Sequence, residues 1–256
     1  MASVFVTGSA DGIGAETARL LVAGGHRVVL HARDERRAAA AEAAVPGAAG
    51  VAVGDLASLT QTRGLATAAT DLGPYDAVVH NAGISGPRRR TTTEDGLEQT
   101  FQVNVLAPYL LTALMPLPDR LIYLTSGMAS GGVVDLDDLQ RERRRWDATG
   151  AYCDSKLCDL ALAFAVARRC PQVLSNAVCP GWVRSRMGGP SAPTDLRTGA
   201  ATQAWLAAAD DPAARMTGRY LRHMRLLDPP PAASDSAVQD GLLAACARLG
   251  KVELPG

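Results

Sequence analysis

Short apolar runs alternate along this chain with longer stretches in which apolar residues recur at helical spacing. The runs are VFV at 4–6, RVVLHA at 27–32, GVAVGD at 50–55, DAVVHNAG at 76–83, RLIYLTS at 120–126 and VLSNAVCPG at 173–181. They are apolar on both faces, which predicts strands covered on both sides rather than strands with a wet face. Strands separated by helices predict an α/β fold: a doubly wound parallel sheet with helices on both faces, binding its ligand beyond the carboxyl ends of the strands.

No internal repeat and no Gly-, Ser- or Pro-rich linker divides the sequence, so residues 1–256 read as one domain. Two irregular regions, at about 127–150 and 185–200, follow strands and are expected on the ligand side as substrate loops. The basic run RERRRW in the first reads either as a solvated face or as an anion site. DPPPAASD at 228–235 reads as an extended surface connection.

Composition narrows the function classes. With 47% hydrophobic and 20% charged residues, 256 residues are enough for a full core. Lys+Arg and Asp+Glu are 26 each, so no net charge recommends nucleic acid or an anionic membrane as partner. Cys153, Cys158, Cys170, Cys179 and Cys246 have neither C-x-x-C pairing nor zinc-site spacing; they read as reduced thiols, and no metal is expected. The first apolar run is too short for a signal peptide, and no run reaches the roughly 18 residues of a membrane span, so the expected location is cytoplasmic.

The stretch TGSADGIG at 7–14 places Gly8, Gly12 and Gly14 between a strand and a helix that begins inside the turn. Free N–H groups and the positive end of a helix dipole then face one spot, which suits a phosphate or pyrophosphate. An ordinary βα connection can look the same, and the turn alone does not decide. In AYCDSKL, Tyr152 and Lys156 are four residues apart and share a helix face. A phenol with an ordinary pKa near 10 shuttles protons poorly at neutral pH unless a cation favours the phenolate. Lys156 can supply that cation. Ser126, at a strand end, can hold a substrate oxygen beside Tyr152, and Asn104 in FQVNVLAP can order a water linking the lysine to solvent. Taken singly, each has a bland reading: strand-end cap, helix kink or solvated charge. Together they form a constellation.

On these residues the chain resembles the short-chain dehydrogenase/reductase family, from about Ser3 to its end. The resemblance implies a Rossmann domain with a mostly parallel, seven-stranded sheet. It implies Asn104, Ser126, Tyr152 and Lys156 as the catalytic four. Cofactor contacts are implied for Gly8, Ser9, Asp11, Gly12, Ile13 and Gly14 in the turn, Asp55 and Leu56 in GDL, and Asn81, Ala82 and Gly83 in NAG. Tyr152 and Lys156 serve again here, as do Pro180, Gly181, Val183 and Ser185 in PGWVRS. Ser185 stands where the family usually has threonine and keeps the hydroxyl for the nicotinamide carboxamide. Asp11 is expected to point away from the diphosphate. The long Ser126–Tyr152 interval, DDLQRERRRW and TGRYLRH are similar to the branch containing retinol dehydrogenases and carbonyl reductases.

After the second strand the chain reads LHARDERR. NAD-specific relatives carry an acidic residue there, whereas Arg33 at the strand end and Arg37 one helical turn on suit a 2′-phosphate. Asp34 is the acidic competitor, and NADP(H) is favoured over NAD(H). The reading is an NADP(H)-dependent oxidoreductase acting on a small-molecule carbonyl or alcohol, with Tyr152 as general acid/base. Two rivals are a non-catalytic dinucleotide-sensing regulator, opposed by the intact four residues, and a sugar-nucleotide epimerase or dehydratase, opposed by the glycine spacing. Trp182 and Met187 help shape the pocket without selecting a substrate. Homodimer and monomer both stay open.

Overall fold

The computed structural model describes residues 1–255. Its strands are β1 (Ser3–Val6), β2 (Arg27–Ala32), β3 (Gly50–Val53), β4 (Ala77–His80), β5 (Arg120–Leu124), β6 (Leu174–Val178), β7 (Tyr220–Arg222) and β8 (Arg225–Leu226). They form one sheet in the order β3-β2-β1-β4-β5-β6-β7-β8, parallel throughout except for β8. The helices are α1 (Gly12–Ala23), α2 (Glu35–Ala44), α3 (Leu59–Asp71), α4 (Gln99–Phe101), α5 (Ala107–Leu114), α6 (Ala148–Arg169), α7 (Leu196–Ala208), α8 (Pro231–Ser234) and α9 (Ser236–Gly250).

Alternate residues of each strand feed two separate cores. Val4, Val6, Val28, Leu30, Val79 and Ile122 pack against α1, α2 and α7. Phe5, Val29, Val78, Leu121 and Tyr123 pack against α3, α5, α6 and α9. This is why the strands read as apolar on both faces: Val4, Phe5 and Val6 have no exposed surface. Each such side chain contributes roughly 1.5–3 kcal/mol when fully buried.

The sheet has one strand more than the seven expected. Leu226 and Arg225 return antiparallel to Leu221 and Arg222 through His223 and Met224, both at positive φ. Such a two-residue turn normally announces itself by Asn or Gly, and RHMR carries neither. The second irregular region is also shorter than expected. Residues from Leu196 onward are helical, started by Asp195, whose carboxylate accepts from the Thr198 N–H. The segment 228–235 contains the single helical turn α8 rather than being wholly extended.

The basic run in 127–150 is neither a uniform solvated face nor an open anion site. Arg141 Nε and Arg144 Nη1 both donate to Asp154 Oδ2 on α6, at 2.8 and 3.1 Å. Arg144 also grips the buried Asp138 at 3.0 Å. Burial alone would raise the Asp138 pKa. The N–H groups of Arg143, Glu142 and Arg144, with the Arg144 guanidinium, outweigh it and draw the carboxyl down to about 2. Of its four arginines only Arg143 and Arg145 are exposed. The segment is therefore a brace that fixes α6, the helix carrying Tyr152 and Lys156. Among the described residues no helix is long and apolar enough to cross a membrane.

Candidate active site

A cleft of about 600 Å³ opens at the carboxyl ends of β1, β2, β4 and β5. It is lined by Gly8, Asp11, Gly12, Ile13 and Gly14 from the first turn, Arg33 and Arg37 after β2, and Asp55 and Leu56 after β3. Asn81, Ala82 and Gly83 line it after β4, Tyr152 and Lys156 from α6, and Pro180 and Ser185 after β6. Residues scattered over the whole sequence thus converge on one surface.

The remaining candidates lie behind or beside that surface. Ser9 is buried, and its hydroxyl ties β1 to β2, donating to Val6 O and accepting from His31 N–H. Val183 is buried against Gly199 of α7, and Gly181 bends the chain at φ +87°. Ser126 caps the turn at Gly127–Gly131, its Oγ accepting from Met128 N–H at 3.2 Å. Asn104 has no exposed surface and sits in a π-helical turn, Gln102–Leu106. Its side chain accepts from Ile84 N–H and donates to Ile84 O and Ser155 Oγ, clamping the segment after β4 onto α6.

The glycine turn differs from the other helix starts. Helices α2, α3, α6, α7 and α9 all begin with an Asp or Ser whose side chain caps the first turn, whereas Asp11 makes no such bond to α1. The first N–H groups of α1 thus lack a side-chain acceptor, and they border the cleft. Gly8 and Gly12 adopt positive φ, +62° and +56°. A Cβ on Gly14 would collide with the Gly8 carbonyl and the Asn81 amide, so only glycine lets α1 start this close to the turn. These features fit a dinucleotide diphosphate.

Asp11 turns toward the arginines instead. Its Oδ2 lies 2.8 Å from Arg37 Nη2 and 3.6 Å from Arg186 Nη2. Asp34, the acidic competitor after β2, accepts from Arg37 N–H as the cap of α2 and pairs with Arg33 at 3.2 Å. The Lys156 side chain is buried. Nζ donates to Leu124 O at 2.8 Å and to Asp159 Oδ2 at 2.6 Å, and lies 6.0 Å from the centre of the Tyr152 ring. A Cβ at position 83 would come within 3.3 Å of Nζ. Burial alone would lower the Lys156 pKa, but the Asp159 carboxylate outweighs it and holds it above the ordinary value.

Three residues outside the sequence-derived set support the site. His31, buried in β2, accepts from the Gly8 N–H at Nδ1 (2.9 Å) and contacts Gly54 O through Nε2 (2.8 Å). Its pKa is lowered, chiefly by burial, so the neutral ring serves both partners. Thr7 Oγ1 accepts from Asn81 N–H and Ala82 N–H and locks the turn to β4. Asp159 holds Lys156. A polar residue inside an otherwise apolar run was the available signal for His31 and Asp159.

The short chain dehydrogenase family model matches residues 2–195. The chain is 40% identical over 261 residues to the uncharacterized oxidoreductase AN7799 of Emericella nidulans, with 100% of each covered. It is 38% identical over 260 residues to the short-chain dehydrogenase chyC of Penicillium rubens, again with 100% of each covered. A solved structure of a blue fluorescent protein from a metagenomic library, in complex with NADPH, aligns with a TM-score of 0.69 at 26% identity. It covers 90% of this chain and 97% of that one.

Proposed function

The chain belongs to the short-chain dehydrogenase family, and on that premise we propose that it is an NADP(H)-dependent oxidoreductase that interconverts a small carbonyl compound and its alcohol. The observation that carries this reading is the placement of Tyr152 beside Lys156 in the same cleft as the uncapped glycine turn. When bound, the nicotinamide dinucleotide supplies or accepts the hydride.

The protein's part is binding, orientation and proton transfer. The α1 N–H groups and the turn at Gly8, Gly12 and Gly14 hold the diphosphate. Arg33 and Arg37 meet the 2′-phosphate, a role supported by the use of Asp34 as a helix cap, which leaves the β2 end without a free carboxylate. Tyr152 gives its hydroxyl proton to the developing alkoxide, or takes it back in the reverse direction. Lys156 places a positive charge beside the phenol and keeps one N–H beyond those given to Leu124 and Asp159, because an ammonium has three. Ser126 steadies the substrate oxygen. Asn104 fixes the backbone at Ile84 against α6.

The test is Tyr152→Phe, assayed by NADPH consumption against a panel of ketones and aldehydes. Turnover falls by about 10²–10⁴-fold, the usual loss on removing a general acid, while NADPH titration by fluorescence is unchanged. Retained turnover in a folded Tyr152→Phe protein overturns the proton-donor assignment.

A further inference from the structure

Lys156 shares its helix face with a carboxylate that the proposed chemistry does not use. Asp159 is one turn beyond it, is buried, and faces Lys156 Nζ at 2.6 Å through Oδ2. Its other oxygen, Oδ1, is buried and has no hydrogen-bond partner among the described residues. A carboxylate taken from water is tolerated only beside a counter-charge, and here that charge is Lys156 alone.

The surrounding groups offer no substitute. On α6 itself, Asp154 is held by Arg141 and Arg144, and burial pushes the Cys158 thiol well up and keeps it neutral. From β5, Tyr123 faces the pair with its phenol also pushed up by burial. Behind it on β4, His80 is lowered to about 3 by burial and carries no charge at neutral pH. Cys246, beside Cys158, and Cys170, beside Tyr123, are raised by burial as well.

We propose that Asp159 is a positioning residue: it holds the Lys156 ammonium in place and takes up part of the positive charge that Lys156 would otherwise place beside the Tyr152 phenol. The inference rests on the reading of Tyr152 and Lys156 as the proton-handling pair. With the carboxylate present the positive charge felt by the tyrosine is reduced. Without it, Tyr152 faces a buried lysine whose charge is no longer balanced by a carboxylate and is more easily lost. Burial raises the Asp159 carboxyl to about 6 against the opposing pull of Lys156, so the balance changes again when Asp159 takes a proton in mild acid.

The sequence makes this measurable without a substrate. Of five tyrosines, Tyr75 is pushed to about 12 by burial, and Tyr109, Tyr123 and Tyr220 are pushed up as well. Phenolate absorbance that disappears in Tyr152→Phe therefore reports Tyr152. The chain has only two lysines, Lys156 and the exposed Lys251. The experiment is a phenolate titration of the full chain, wild type against Asp159→Asn and Asp159→Ser. The expected result is a Tyr152 midpoint displaced by about 1 pH unit from wild type in either variant, the low end of the effect of a neighbouring charge. An unmoved midpoint in a folded variant overturns the proposal and leaves Asp159 a purely structural partner. If neither variant folds, wild-type protein labelled at lysine Cε decides by NMR. A Lys156 resonance that inflects in the acid range, as Asp159 takes its proton, while Lys251 stays flat supports the proposal; a Lys156 resonance flat throughout the acid range overturns it. Because neither measurement needs turnover, failure of the catalytic reading would appear separately, as retained activity in Tyr152→Phe.

Discussion

Replacing Gly14 by alanine should reverse the sign of a substitution that ordinarily stabilises a helix. In a helix interior alanine is favoured over glycine by roughly 0.5–1 kcal/mol, and Gly64, exposed in α3 with open space at its Cβ position, should show that gain. At Gly14 the new Cβ meets the Gly8 carbonyl and the Asn81 amide, both backed by further bonds. Asn81 Nδ2 donates to Thr7 O at 2.9 Å and to Gly8 O at 3.2 Å, and Gly8 N–H donates to His31 at 2.9 Å. The turn must move as a unit, and overpacking of this kind costs about 1–3 kcal/mol. The same shift withdraws N–H groups from the diphosphate. Loss of one hydrogen bond to a charged group, about 1.5–3 kcal/mol, weakens NADPH by roughly 10- to 150-fold. Urea unfolding and NADPH fluorescence titration, run on Gly14→Ala and Gly64→Ala together, separate the cases. Equal stability gains in both variants, with NADPH binding intact, would refute the packing argument.

Other consequences are equally direct. Arg33→Ala should weaken NADPH by about 1.5–3 kcal/mol while leaving NADH nearly unchanged in the same titration; equal losses would remove its role in discrimination. Arg144→Ala strips Asp138 and Asp154 of a shared partner and should lower unfolding stability by roughly 1.5–3 kcal/mol in urea, since each charged hydrogen bond carries about that much. His80 is depressed to about 3 in the folded protein against an ordinary value near 6.5, so the unfolded chain binds the extra proton. Its contribution is intact above pH 6.5 and declines as pH falls toward 3. His80→Phe should therefore flatten the acid limb of the stability profile by about one proton, or 1.36 kcal/mol per pH unit.

The features legible in the linear chain are those governed by local rules. Runs apolar on both faces specified strands sandwiched between helices, because a polar side chain in such a run has no water to meet. Glycine at positions 8, 12 and 14 and the four-residue step from Tyr152 to Lys156 are likewise readable, since φ range and helical period depend on near neighbours alone. Placement against distant partners is another matter. In RERRRW, four arginines of one kind divide into two that are locked to Asp138 and Asp154 and two that face water. Nothing in their spacing distinguishes them, because their acidic partners were brought to them by the packing of a loop on α6. The turn of Asp11 toward Arg37 and the commitment of the Asn104 amide to Ile84 and Ser155 were decided in the same way. A charge removed from water takes whichever counter-charge the tertiary structure leaves within reach, and only the folded chain sets which one that is.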